Sequence, residues 1–256
     1  MKTIIGMESI KKEMKKIVEQ IDSYRIEGVK VPHIIANLTP KNGQTYVAEY
    51  ITSVLQMYKL RKFCGLDALL EYKLDGTLKN AKHVIEDISK NAVYTNEFEG
   101  VVAVDVTALS GFVNENQVDF FVNHIAKIGE NATVIIYYND KRGKCMEAIT
   151  GKICNVIGKY VNIHVTPYSI QEFSEIVVEC LRERKIDIEE VEKELRNLIC
   201  WLINNRNISN AKEAAEIAEE LLFYVDYKEN IPKINIRRAA NYFCAYKDKT
   251  LWGSKR

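Results

Sequence analysis

One stretch constrains this chain more than any other: Val31-Pro-His-Ile-Ile-Ala-Asn-Leu-Thr-Pro-Lys-Asn-Gly-Gln-Thr-Tyr-Val-Ala-Glu-Tyr. His33 to Ala36 is a short apolar run of the kind a buried strand uses. Asn37 to Gly43 follows as a turn-rich segment, and from Gln44 onward Val47, Ala48, Ile51, Val54 and Leu55 recur at helical spacing. Strand, glycine-containing loop and helix make up the context that a phosphate-binding loop requires. The pattern Gly-x-x-x-x-Gly-Lys-Ser/Thr, laid so that it ends at Gly43-Gln44-Thr45, keeps the second glycine and the hydroxyl. It puts Leu38 at the first glycine and Gln44 at the lysine. The loop has the place and length of a phosphate cradle without its chemistry.

The flanking sequence repeats the strand–helix alternation. Met7, Ile10, Met14, Ile17 and Ile21 predict an amphipathic helix over residues 8–24, with Lys11, Lys12, Lys15 and Lys16 as a solvated basic face. A linker with Gly28 and Pro32 leads into the first strand. Leu66 to Tyr72 reads as a strand or a short helix, Asp75-Gly76 as a turn, and Asn80 to Ala92 as a helix. Gly100 to Asp105 and Thr133 to Tyr138 are continuous apolar runs, each ending in a polar residue, as expected of central parallel strands. Helices are expected at 116–128 and 145–157, and a further strand at 161–165. The expected fold is α/β, a P-loop NTPase-like parallel sheet flanked by helices. The pattern changes at Thr166-Pro-Tyr-Ser. Ser169-Ile-Gln-Glu172 is a capping box, and all that follows reads as helical, predicting a small all-helical subdomain over 167–230. Residues 231–256 are read as one more helix, carrying Ala239, Ala240, Phe243 and Cys244, and a frayed tail.

Charge and cysteines narrow the function classes. The 256 residues sum to a net charge of +1, which gives no electrostatic reason to expect nucleic acid or an anionic membrane as partner. No apolar run approaches the roughly 20 residues of a membrane-spanning helix, and the start of the chain lacks a signal peptide's apolar core. A cytoplasmic protein is expected. Cys64, Cys145, Cys154, Cys180, Cys200 and Cys244 are scattered, with no C-x-x-C pair and no histidine at metal-ligand spacing, as expected of reduced thiols. Cys64 beside Gly65 sits in a plausible loop, but an idle thiol is the simpler reading. The triplets at Asn37, Asn131 and Asn207 are then chance glycosylation matches. His33, His83, His124 and His164 have no evident Ser or Cys partner for nucleophilic catalysis.

A phosphate-loop α/β domain followed by a helical subdomain resembles an AAA+ module, and most of all the rubisco-activase-like and sporulation-type AAA proteins. Their loop reads His-Met-Val-Phe-Thr-Gly-Asn-Pro-Gly-Thr-Gly-Lys-Thr. His33 to Thr45 aligns with it without a gap and matches at His33, Pro40, Gly43 and Thr45. Gly6-Met7-Glu8, followed by Lys11 or Lys12, resembles the family's adenine-contacting start. Gly100 to Asp105 resembles the Walker B strand, and Asn139 falls at sensor 1. Pro167-Tyr168-Ser169 with Glu172 resembles the start of the lid, and Asn210-Ala211-Lys212 the Asn-Ala-Arg of sensor 2. The likeness spans about residues 4 to 225. If it retains nucleotide, the resemblance implies a site of Gly6, Met7, Pro40, Lys41, Asn42, Gly43, Gln44, Thr45, Asp105, Asn139 and Lys212, with Mg²⁺ held through Thr45 and Asp105.

The departures fall on the chemistry. Gln44 carries no charge, and losing one charge-assisted contact costs roughly 1.5–3 kcal/mol. Glycines of the family's loop are here Leu38 and Lys41, where side chains risk strain and blocked approach. The glutamate that should follow Walker B Asp105 is Val106, and a positioned base is worth roughly 10²–10⁴ in rate. Before the last strand, where the family carries its arginine finger, Cys154 to Tyr160 offers only Lys159; such a finger is worth about 10³–10⁵. Multiplied at their low ends, these losses cut turnover by roughly 10⁵. The expectation is a pseudo-ATPase without a cofactor, an assembly, scaffold or regulatory subunit. Its partners would be itself, active AAA+ paralogues or a protein client. The alternative is a nucleotide-binding switch or very weak ATPase that keeps ATP or ADP with Mg²⁺ through Lys41, Thr45, Asp105, Asn139 and Lys212. Substrate-threading members present an aromatic pore loop after the second strand, and Tyr72 lies in about that place, although a core strand residue is the simpler reading.

Overall fold

A computed structural model of the chain describes residues 4–26, 29–39, 41–60, 69–75, 77–94, 100–111, 115–128, 132–139, 144–227 and 232–243. The chain divides into two compact units, Met1–Pro167 and Tyr168–Arg256.

The first unit is built on five parallel strands: β1 (His33–Asn37), β2 (Leu69–Lys73), β3 (Val101–Asp105), β4 (Thr133–Tyr138) and β5 (Tyr160–His164), in the order β2-β3-β4-β1-β5. Register runs Ile34 to Ile135 between β1 and β4, Ile34 to Val161 between β1 and β5, and Val102 to Val134 between β3 and β4. β1 and β3 are buried along their whole length because helices cover both faces. On one face α4 (Leu78–Tyr94), α5 (Glu115–Ile128) and α6 (Lys144–Val156) share a core with Ile35, Val102, Val104, Val134 and Ile136. On the other, α3 (Gln44–Met57) packs on β2 and β3, and α1 (Glu8–Glu19) on α3 and β5. Strand period two turns the alternate residues, Ile34, Ala36 and Tyr137, toward that side. The buried His33 completes the ladder, since its Nδ1 accepts the Val134 N–H at 3.0 Å.

This strand order fixes where a site can form. The crossover from β1 through α3 runs to β2 at one edge, and the crossover from β4 through α6 runs to β5 at the other. The chain therefore diverges between the carboxyl ends of β1 and β4, where an open parallel sheet leaves a crevice.

The helix expected over 8–24 is two helices, α1 and α2 (Ile21–Ile26). Gln20 N–H donates to Ile17 O at 3.2 Å, a tightened last turn that ends α1, while Gln20 O accepts from Tyr24 N–H and opens the next. The ambiguous segment before Tyr72 is the strand β2 over its described part, residues 69–73. Asp75 makes its turn by accepting the Thr77 N–H at 2.8 Å. Gly76, Cys64 and Gly65, and the tail from 244 lie outside the described residues.

The second unit carries α7 (Ile170–Glu183), α8 (Glu192–Arg206) and α9 (Ala211–Leu221). The Ser169–Glu172 capping box is complete: Ser169 Oγ accepts the Glu172 N–H at 3.2 Å, and Glu172 accepts the Ser169 N–H at 2.7 Å. Val177, Leu181, Leu195, Ile199, Leu202 and Leu221 lie in its core. Ile234, Ala239 and Phe243, from the segment expected as separate beyond 231, join the same core. The unit also contains an antiparallel ribbon of β6 (Val225–Asp226) and β7 (Lys233–Ile234), an addition to the all-helical reading. Strands of two residues are too short to leave a periodic signal.

Candidate functional site

The described residues of the loop between β1 and α3 include two in left-handed backbone. Gly43, the residue before α3, has φ 82°, and Lys41 also adopts a left-handed φ of 68°. That conformation is costly for lysine and free for glycine, the residue at this place in the resembling family. Leu38 does not stand in the loop. Its N–H donates to Tyr138 O at 2.9 Å, extending the ladder, and its side chain is buried. Where the pattern has its first glycine, the residue just after β1 is bonded to β4. Asn42 is buried, and its N–H donates to Thr39 O at 3.3 Å. Pro40 lies outside the described residues.

Gln44 opens α3, and its side chain ties the site together. Its Nε2 donates to Asp105 Oδ2 at 3.3 Å, and its Oε1 accepts the Lys41 N–H at 3.2 Å. The other Asp105 oxygen, Oδ1, accepts the Thr107 N–H at 2.9 Å. From the sheet, Tyr137 donates its hydroxyl to Gln44 O at 2.8 Å. Burial pushes the Tyr137 phenol well above its usual range, and the carboxylates of Glu71 and Asp105 add to the effect, so it acts as a fixed donor. No motif singles out Tyr137 for this place; the one clue is a hydroxyl inside an apolar strand.

Thr45 is exposed on the first turn of α3, and Tyr46 beside it is 57% exposed. Asn139 follows β4, at the end of the strand next to β1, and is buried. Asn37, at the end of β1, lies 3.0 Å (Nδ2) from His164 Nδ1 on β5. Gly6 and Met7 have φ of 60° and 54° and lead into α1, with Met7 O accepting from Ile10 and Lys11. Val106 is fully buried within the α4–α5–α6 core, and its N–H donates to Tyr137 O at 2.9 Å.

Three implied residues have other employment. Tyr72 lies within β2 rather than in a loop, packs against the same core, and donates its hydroxyl to Asp87 on α4 at 2.8 Å. The strand and that bond hold the ring against α4. Lys159 Nζ sits 5.8 Å from the Tyr24 ring centre, a cation–π contact within its own chain. Lys212, in the second unit on α9, lies 3.8 Å from Glu216 and is largely exposed.

No protein-family model matches this chain, and no curated protein matches it by sequence. Solved structures are similar in fold. The Thermotoga maritima RuvB Holliday junction branch migration motor matches with a TM-score of 0.53 at 14% identity, over 86% of this chain and 63% of its own. A mutant of the same motor gives 0.55 at 13% identity, over 86% and 64%. A structure reported for katanin self-assembly gives 0.54 at 14% identity, over 89% and 73%. The chain thus spans about 63% of the length of that RuvB chain. The fold is that of the AAA+ P-loop ATPases.

That fold family implies nucleotide with Mg²⁺, and the donors here fit it poorly. Gln44 brings no cation, its carboxamide is bonded at both ends, and both Asp105 oxygens already accept N–H bonds. The residue after Asp105 is a buried valine.

Proposed function

We propose that this chain is a catalytically inactive AAA+-fold protein that acts through assembly, as a scaffold or regulatory subunit. The observation that carries the reading is Val106: at the position of the water-polarising acid the side chain is apolar and fully enclosed in the sheet–helix core. Gln44 at the lysine position and Lys159 on Tyr24 point the same way. Valine cannot act as a positioned base, a role worth roughly 10²–10⁴ in rate. Katanin, similar in fold, is described as self-assembling, which supports a partner of the same fold, either another copy or an active paralogue, with a protein client as a further candidate. Nucleic acid is left out of the proposal because the net charge is only +1, although RuvB is described as a Holliday junction motor. A cytoplasmic location without a membrane partner is proposed with the rest of the reading; no described helix is long and apolar enough to cross a membrane.

A second reading, a nucleotide-binding switch, has one observation in its favour. Lys41 and Gly43 retain left-handed backbone, and Thr45 is exposed at the first turn of α3. Two measurements separate the readings: ATP turnover of the purified protein, and its molecular mass in solution alone and with an active AAA+ paralogue. The assembly reading expects no turnover above buffer and a mass larger than one chain. Hydrolysis of ATP, or a strict monomer under both conditions, would overturn it.

A further inference from the structure

Gln44 is more than a missing lysine. A carboxamide carries an acceptor oxygen and two donor hydrogens on one planar group. Here the oxygen faces the loop and the nitrogen faces the Walker B acid. The Lys41 N–H is a loop-backbone donor of the kind that grips phosphate oxygen, and a carboxylate at Asp105 is what receives a metal's coordinated water. One side chain therefore satisfies at once the groups that phosphate and hydrated magnesium would otherwise take. Lysine has no acceptor for the Lys41 N–H, and glutamate has no donor for Asp105. Leucine or alanine would take a donor from Asp105 at a partly buried place, a costly loss, and would leave the exposed Lys41 N–H to water.

We infer that Gln44 is an internal plug. It closes the cradle with its own carboxamide and holds the β1–α3 loop in its folded form without any ligand. The inference rests on the non-catalytic reading above and deepens it: the loop is occupied by the protein itself, so its shape does not report nucleotide. Tyr137 supports the plug from the sheet side by fixing the Gln44 carbonyl at 2.8 Å.

Removing the carboxamide should then expose the cradle to anions. The test titrates inorganic pyrophosphate, followed by calorimetry, into the unmodified chain, Gln44→Met and Gln44→Ala. Gln44→Met keeps the length and apolar stem of the side chain, so it is the variant most certain to fold, which circular dichroism checks. With two hydrogen bonds no longer to be displaced, pyrophosphate binding should tighten by about tenfold or more. Folded variants that bind pyrophosphate no better than the unmodified chain would overturn the plug. Should neither variant fold, hydrogen exchange of the Lys41 amide in the unmodified protein decides: protection supports the plug, and exchange at the free-peptide rate overturns it. The two failures are separable. ATP hydrolysis by the unmodified chain sinks the non-catalytic reading, whereas the plug stands or falls on the ratio between variant and unmodified binding.

Discussion

An acid placed after Asp105, where the resembling family carries one, tests whether position 106 belongs to the core. In Val106→Glu a carboxyl group replaces a fully buried valine whose neighbours are apolar residues of the α4–α5–α6 layer. An unpaired carboxylate there would protonate rather than stay charged. Moving a group of ordinary pKa about 4.3 to the neutral form at pH 7 costs about 3.7 kcal/mol, from about 1.4 kcal/mol per pH unit. Burying the neutral carboxyl without a partner adds about 1–3 kcal/mol. The sum, about 5–7 kcal/mol, is a large share of a typical domain's stability of about 5–15 kcal/mol. The pH dependence has a definite sign. The folded-state pKa of the new group is raised, so the unfolded chain binds fewer protons above pH 4.3 and stability falls as pH rises. Between pH 5 and pH 7 the deficit relative to the unmodified protein should grow by about 2.7 kcal/mol. Urea denaturation at the two pH values reads it directly. A deficit below about 1 kcal/mol at both, accompanied by new ATP turnover, would show that position 106 faces the crevice and would refute the reasoning.

Two further outcomes follow from local geometry. Lys41→Gly relieves a left-handed lysine, worth about 1–2 kcal/mol, against about 0.5–1 kcal/mol of added chain entropy in the unfolded state, so the variant should gain up to about 1.5 kcal/mol. Thermal melting should show it as a rise of a few degrees, and a fall would mean that the lysine side chain anchors the loop. In the second unit the Arg196 hydrogen bond holds Glu192 below its ordinary carboxylate range, with help from Arg182, while Glu175 and Glu192 raise the Arg196 guanidinium. A lowered carboxylate contributes stability above its unfolded pKa and loses it as pH falls through the folded value. Arg196→Met should therefore be less stable than the unmodified protein at pH 7, with the gap closing below the ordinary value of 4.5. A gap unchanged at pH 3 would assign the loss to packing alone.

The parts legible in sequence are those whose cause is local. Val101–Asp105 and Thr133–Tyr138 announce themselves because strands covered on both faces need unbroken apolar runs. Ser169 and Glu172 announce the start of α7 because capping is a four-residue interaction. The break at Gln20 carries neither proline nor glycine, and the ribbon at Val225 and Lys233 is too short for a period. The candidate site is legible as a place and illegible as a mechanism. Gln44 in isolation reads as a lost lysine, and its meaning depends on Asp105, 61 residues away, which only the sheet order brings near. Spacing behind the second strand suggests Tyr72 for a pore loop, whereas its hydroxyl belongs to Asp87.

The departures from an active phosphate loop share a direction. Leu38 stands where the resembling family has a loop glycine, and brings a buried side chain and a backbone hydrogen bond to β4 just after β1. Val106 stands where the resembling family has an acid, and adds to the sheet–helix core. Gln44 replaces a cation that would need an anion beside it, and instead completes two hydrogen bonds from within the chain. Each of the three favours the folded state at a place where catalysis would require exposed, strained or uncompensated groups. Lys41 runs the other way, since it retains a left-handed backbone that glycine would adopt at less cost. A loop relaxing freely into ordinary structure would be expected to shed that strain. Its persistence beside Gln44, whose oxygen accepts the N–H of the strained residue itself, ties the cradle's shape to the plug: the bond that closes the loop also holds Lys41 in its unfavourable turn.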